Sequence, residues 1–455
     1  MQIIKLFHKF ILIALLFTVF SFSGCKKDDP VQPIEISFSN SQVPNTEDIV
    51  MYEINLRAFS NEGTFNGFTI RLDSIKALGV NVIWLMPIHP VGAIKSVGQL
   101  GSPYSVQNYL TVNPEFGSLN DLKNLISKSH ILGISVVLDW VANHTAWDNP
   151  WIANKNWYTQ DGSGNIISPA GTGWNDVADL NYNNSEMRLA MINAMKYWAK
   201  EIDVDGFRCD AADYVPFSFW KQALDTLKKI PNKKLILLAE GTRSDHFTAG
   251  FQINYAWEYY SMLKNVFRDG YNAYFLFTTH QNEFRSATNG NKLRFTTNHD
   301  ESAWDNPPIV LFNGKQGALA ASVVSVFMGG VPLIYCGQEI GHPTKLPFFS
   351  RSPIDWNINP DMKAAYKKLF SLYNSTPALK KGTVIDFSNT NIVAFTKSYQ
   401  SKECLILVNT RKTSETFTLP SSLQNITLTN LLDNSIMKTS GEVILQPYQY
   451  LILLR

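Results

Sequence analysis

The 455-residue chain predicts an α/β fold, a (β/α)8 TIM barrel followed by a C-terminal antiparallel β-sandwich. Three observations carry this. Short apolar runs alternate with segments of helical periodicity, the pattern of parallel strands buried on both faces. Four of the runs end in an acidic residue: Asp139, Asp210, Glu240 and Asp300. The last three are spaced by one and then two βα units, at roughly 30 residues per unit. Functional groups at C-terminal strand ends are the expected layout of such a barrel. The rival, a doubly wound open sheet, would need a Gly-rich phosphate loop after its first strand, and none occurs there.

The elements follow in order. Residues 48–52 read as the first strand, and 68–78 as a helix with Ile70, Ile75 and Leu78 on one face. Residues 80–85 form the second strand. Ser118 caps a helix that brings Leu122, Leu125, Ile126 and Ser129 to one side before Gly133 stops it. The third strand is 134–138. Ser185 starts a helix through Met187, Met191, Met195 and Trp198. Further strands are expected at 204–209, 235–239, 293–297 and 331–335. After residue 376 the pattern changes to short strands at 383–387, 392–396, 404–408, 416–419 and 448–454, separated by turn residues, which reads as the sandwich.

Composition narrows the function. Lys+Arg 40 against Asp+Glu 38 leaves a formal charge of +2, too little to drive nucleic-acid or anionic-membrane binding. With 45% hydrophobic and 17% charged residues the chain is globular rather than disordered. The 13% aromatic share fills cores first, and also suits a cleft that stacks flat ligands such as sugar rings. Cys209, Cys336 and Cys404 form neither a disulfide framework nor a zinc spacing.

The first residues have the layout of an export signal: Lys5, His8 and Lys9, an apolar stretch over 10–20, then Phe22-Ser23-Gly24-Cys25. This end resembles a bacterial lipobox with Cys25 as the lipidated residue, and Lys26-Lys27-Asp28-Asp29 resembles an outer-surface export tag. Residues 1–24 are therefore expected to be cleaved, with 25–46 a lipidated tether.

One carboxylate at a strand end reads as a helix cap or a surface residue. Four at one barrel mouth repel each other, and stability alone gives no reason to collect them. Arg208 and Asp210 are two apart on a strand and share a face. The guanidinium is expected to hold Asp210 ionised, as a nucleophile requires. Glu240 follows an apolar run, whose poor solvation is expected to keep it protonated, as a general acid requires. Such a pair cleaves glycosidic bonds.

These residues resemble the α-amylase superfamily of retaining α-glycoside hydrolases. Asp139-Trp140-Val141-Ala142-Asn143-His144, Asp205-Gly206-Phe207-Arg208-Cys209-Asp210, Leu238-Ala239-Glu240 and Thr297-Asn298-His299-Asp300 are similar to its four signatures. The run 330–339 resembles its last barrel strand. The resemblance spans 47–375. It implies Asp210 as nucleophile, Glu240 as acid/base and Asp300 as the transition-state carboxylate. It also implies Tyr104, His144, Arg208 and His299 around the sugar, and Asp139 as a bracing carboxylate. It implies a short insertion after strand 3, at 145–179, and a structural Ca2+ with Asn143 and Asp179 among its ligands. The stretch Ala211-Ala212-Asp213-Tyr214 departs from the family's usual Lys-His pair, so the leaving-group side is expected to bind differently.

The expected protein is an exported, surface-facing outer-membrane lipoprotein. It is expected to be a monomer that makes internal (endo) cuts in α-1,4-glucans, starch or maltooligosaccharides, with no organic cofactor and no nucleic-acid partner. The alternatives are a glucan transglycosylase, a cyclomaltodextrin- or pullulan-type hydrolase, and a non-catalytic glucan-binding barrel.

Overall fold

A computed structural model describes residues 43–455. The expected signal, Cys25 and most of the tether lie outside them. Eight parallel strands close a barrel in the order β1-β10-β9-β8-β7-β6-β3-β2. In chain order the barrel strands are β1 (Met51–Ile54), β2 (Val82–Leu85), β3 (Ser135–Val141), β6 (Gly206–Asp210), β7 (Ile236–Ala239), β8 (Ile253–Tyr255), β9 (Asn291–Arg294) and β10 (Val331–Tyr335). The hairpin pair β4 (His144–Ala146) and β5 (Val177–Asp179) sits in the insertion after β3, with His144 opposite Asp179.

The strand pleat builds two layers inside the barrel. Alternate residues share one face. Met51, Val82, Val137, Ile236, Leu238, Ile253, Leu293, Val331 and Leu333 form an apolar plug. The same alternation brings Glu53, Asp139 and Arg208, all buried, to the same face farther along their strands. The barrel floor is therefore oil, and its mouth is charged. The other face of each strand packs beneath the helices, as Ile83, Val136, Leu138 and Phe207 do against Leu122, Leu125, Met191 and Trp198.

Ser118 caps its helix as expected, in a full capping box with Asp121. Two expectations change. The helix over 68–78 is broken into Phe65–Thr69 and Leu72–Ala77. The break turns Ile70 outward, and it is 77% exposed rather than packed with Ile75 and Leu78. The strand at 293–297 is instead Asn291–Arg294, so Asp300 does not end a strand. It lies in the first turn of a helix, His299–Trp304, capped by Asn298, whose side chain accepts from the Glu301 N–H.

After the helix Pro360–Ser375 come β11 (Thr383–Asp386), β12 (Ile392–Tyr399), β13 (Lys402–Asn409), β14 (Glu415–Thr418), β15 (Thr427–Asn430), β16 (Ile436–Lys438), β17 (Glu442–Leu445) and β18 (Tyr450–Leu454). They make a six-stranded antiparallel sheet, order β11-β12-β13-β18-β15-β16, and a β14–β17 pair. Ile392, Ala394, Leu405 and Leu407 belong to a core shared with Phe417 and Leu445 of that pair. Their neighbours Val393, Phe395, Ile406 and Val408 join the core of the barrel. Cys209, Cys336 and Cys404 are buried free thiols.

Candidate active site

The site grows from Arg208. Its guanidinium is fully buried on β6 and held from several sides. Nη1 donates to Asp139 Oδ1 and to Asp210 Oδ1, both at 2.9 Å. Nε donates to the Tyr255 hydroxyl at 3.2 Å, and the group lies 4.9 Å from the Trp84 ring centroid. Nη2 stands 2.8 Å from Glu240 Oε1, without hydrogen-bond alignment. One cation thus gathers three of the four expected carboxylates.

Asp139 braces the floor of the site. Its Oδ2 accepts from Trp84 Nε1 (3.1 Å) and from the Tyr104 hydroxyl (3.0 Å). Tyr104 in turn meets His299 Nε2 at 2.7 Å, and the two rings stack with centroids 5.3 Å apart. His299 Nε2 is 3.3 Å from Asp300 Oδ2, which brings the fourth carboxylate to the cluster. Behind His299 stands Glu53, hydrogen-bonded to Nδ1 and buried on β1.

Glu240 follows β7 directly. Its Oε2 accepts the Ala211 N–H at 2.7 Å, and its carbonyl accepts the Ala212 N–H at 2.9 Å. Ala211 takes the left-handed conformation, φ 45° and ψ 41°. This conformation is uncommon outside glycine and is a mark of functional turns. It turns the chain just after Asp210, where the Ala211 N–H meets the Glu240 carboxylate and the Ala212 N–H its carbonyl.

The electrostatics correct the sequence reading of the pair. Burial pushes the Asp210 carboxyl well up, the Glu240 charge adds to this, and Arg208 opposes it. Asp210 is not held low, because Arg208 is shared with Asp139 and Glu240. Nor does Glu240 sit in an apolar pocket, since it accepts a backbone N–H and faces a guanidinium. The aligned Arg208 bond favours the anion at Asp210 against burial and the Glu240 charge.

The histidines differ. Burial lowers His144 to about 4, partly opposed by a hydrogen bond to the Tyr104 backbone, so it is neutral. Burial would also lower His299, but the Asp300 and Glu53 charges outweigh it and lift it to about 9. His299 is therefore a cation at neutral pH. Burial likewise raises Asp300 and Glu53, each opposed by His299.

Tyr104, His144, Asp210, Glu240, His299 and Asp300 line one cavity of about 240 Å3. The sequence reading missed much of the rest of its lining. Trp174 and Asp176 come from the insertion, and Trp304, Phe348 and Phe349 from the loops after β9 and β10. Glu53 carried a faint signal, as a lone acid in the apolar run Met51-Tyr52-Glu53-Ile54. The stretch Ala211-Ala212-Asp213-Tyr214 follows β6 directly. Asp213 turns inward and accepts the N–H groups of Thr242 (3.0 Å) and Arg243 (3.3 Å), while Tyr214 is exposed beside Trp174.

Asn143 and Asp179 are brought near each other, but they make at most part of a calcium cage. Calcium takes 6–8 oxygens. Among the described residues no group of three or more His, Cys, Asp or Glu side chains could hold a metal. The Asn143 amide meets His144 Nδ1 at 3.2 Å. An ion here would draw most of its ligands from backbone carbonyls and water, and no chemical step passes through it.

Comparison with known proteins agrees with this geometry. The family model "Alpha amylase, catalytic domain" matches residues 34–163 and 172–251. Alpha-amylase 2 of Dictyoglomus thermophilum is 26% identical, over 88% of this chain and 76% of that protein. Among solved structures, a noncanonic maltogenic alpha-amylase, AmyB, from Thermotoga neapolitana superposes with a TM-score of 0.82 at 27% identity, covering 90% of this chain and 99% of that one. An alpha-amylase from Lactobacillus plantarum gives 0.82 at 26%, covering 92% and 100%. With the barrel, the carboxylate cluster and the likeness all in agreement, the chain is an α-amylase-like glycoside hydrolase.

Proposed function

We propose that the protein hydrolyses α-1,4-glucosidic bonds of starch or maltooligosaccharides with retention of configuration. One observation carries this reading: Asp210 and Glu240 grip the same guanidinium, which supports the short spacing of a retaining pair, ~5–5.5 Å, over the wider one of an inverting pair. Asp210 Oδ attacks the anomeric carbon. The glycosidic C–O bond breaks as Glu240 gives its proton to the leaving oxygen. A glycosyl ester on Asp210 results. Glu240, now anionic, takes a proton from water, and the hydroxide opens the ester to the α-anomer. The Asp300 carboxylate and the negative rim stabilise the positive charge that the ring carries in the transition state of each step.

Asp210→Asn and Glu240→Gln are each expected to lower kcat by several orders of magnitude, roughly 10³-fold or more. Thermal unfolding should stay near wild type. Near-normal turnover in either variant removes the assignment, and fresh product appearing as the β-anomer by proton NMR removes retention. A transglycosylase reading is favoured by one feature, the exposed Tyr214 ring beside Trp174 at the leaving-group side, where an acceptor sugar could stack. Product analysis on maltoheptaose separates the two, since transfer gives chains longer than the substrate.

We further propose that Cys25 carries lipid and anchors the protein at the outer cell surface. The lipobox-like Phe22-Ser23-Gly24-Cys25 supports this. Labelled palmitate should enter the wild type and not Cys25→Ala; equal labelling refutes the anchor.

A further inference from the structure

The cleft is not symmetric about the reacting sugar. Glu240 must stand beside the glycosidic oxygen, so it marks the leaving-group side. That side runs from Ala211 to Tyr214, whose ring lies 5.7 Å from Trp174 and is 61% exposed. Trp304 on the opposite side is just as exposed, at 64%, so the two sides differ in how their loops are fastened rather than in exposure.

The opposite side, beyond Tyr104 and His299, is walled. The Phe348 ring is 6.0 Å from Tyr104 and 5.8 Å from His299. Phe349 packs 4.6 Å from Phe348, and Trp304 lies 5.9 Å from both. Val97 and Ser102 add lining from the loop after β2.

The wall is fastened, and the fastener is Arg57. This buried side chain donates from Nη1 to the carbonyls of Gly101 and Phe348, both at 2.7 Å, and from Nη2 to Leu100 at 2.9 Å. It also pairs with Glu115 at 2.9 Å. The Leu100 N–H donates to the Phe349 carbonyl at 2.9 Å. The loops after β2 and β10 are thereby stitched together across the cleft end. Gly98 shows how close they come: it sits at φ +70°, and a Cβ there would stand 2.6 Å from Phe349 Cβ.

We propose that this wall ends the substrate site just beyond the reacting sugar, so that the enzyme enters α-glucans from the non-reducing end and releases a short product, glucose or maltose. The rest of the chain would leave past Trp174 and Tyr214. This differs from the internal cutting expected from the sequence, and it rests on the reading of Asp210 and Glu240 as a glycosidase pair.

The test uses p-nitrophenyl maltoheptaoside with a free non-reducing glucose, and the same compound with that glucose blocked as its 4,6-O-ethylidene acetal. Products are separated by chromatography. The free substrate should yield glucose or maltose, and the blocked one should react about 100-fold more slowly, as expected for a group refused by a built pocket. The double variant Trp304→Ala, Phe349→Ala should raise the blocked-to-free rate ratio by about tenfold or more. Equal rates in the wild type overturn the proposal and leave the hydrolase reading standing. A ratio unmoved in the double variant overturns the role of the wall. Turnover of neither substrate by folded protein overturns the hydrolase reading, and the proposal with it.

Discussion

Glu53 offers the sharpest perturbation, since Glu53→Gln keeps the shape of the side chain and removes its charge. His299 is lifted from 6.5 to about 9, roughly 3 kcal/mol in favour of the imidazolium at 1.36 kcal/mol per pH unit. Burial works against this lift, and Asp300 and Glu53 supply it. Glu53 acts both through its charge and through its hydrogen bond to Nδ1. Removing the charge is expected to lower the His299 midpoint by about one pH unit or more. Imidazole NMR across pH 5–10 would read it, with the resonance assigned by its loss in His299→Asn. The sign for stability follows from linkage. A folded value above the unfolded one gives stabilisation that is complete below about 6.5 and is lost as pH rises through about 9. The wild type should therefore exceed Glu53→Gln most near pH 6–7, and the gap should narrow toward pH 9. The Gln amide adds a constant offset of about 1–3 kcal/mol, because Glu53 Oε2 is buried without a partner for a donor. An unmoved midpoint, or a gap that widens with pH, refutes the argument.

Two more outcomes follow from the same network. Tyr104→Phe removes a hydroxyl shared by Asp139 and His299, and it should cost about 1–3 kcal/mol of stability, measured by urea unfolding, with kcat/KM falling about tenfold. Arg57→Leu leaves Glu115 and three loop carbonyls without their donor. It should destabilise by about 3–5 kcal/mol, and protease digestion should find the 91–104 and 342–353 loops first.

Much of the candidate site was legible because it is local. Arg208 and Asp210 sit two apart on one strand, and Glu240 ends a short apolar run, so pattern alone brings them to one rim. Asp300 was found as a residue but placed on the wrong element, because Asn298 starts a helix where the apolar run suggested strand. The strand Ile253–Tyr255 is too short for any periodicity to register. Its existence was implied only by the double gap between Glu240 and Asp300. Glu53 was hidden because a single acid in a strand has no motif around it. Phe348 and Phe349 lie more than two hundred residues from Tyr104, and only barrel closure, which sets β10 beside β1, makes them neighbours. The expectation that Arg208 holds Asp210 low failed for a related reason: sequence shows Arg208 next to Asp210, and not the two other acids that compete for it.

The strand order of the C-terminal sheet has a consequence for folding. The strand made last, β18, lies in the middle, between β13 and β15. As the chain folds, the two flanking halves each keep an unpaired edge until residues 450–454 zip them together. Such edges invite pairing with other chains. The interval before that closing segment docks is therefore when the folding polypeptide is most open to mispairing, and losing only those few residues would split the sheet in two rather than shorten it.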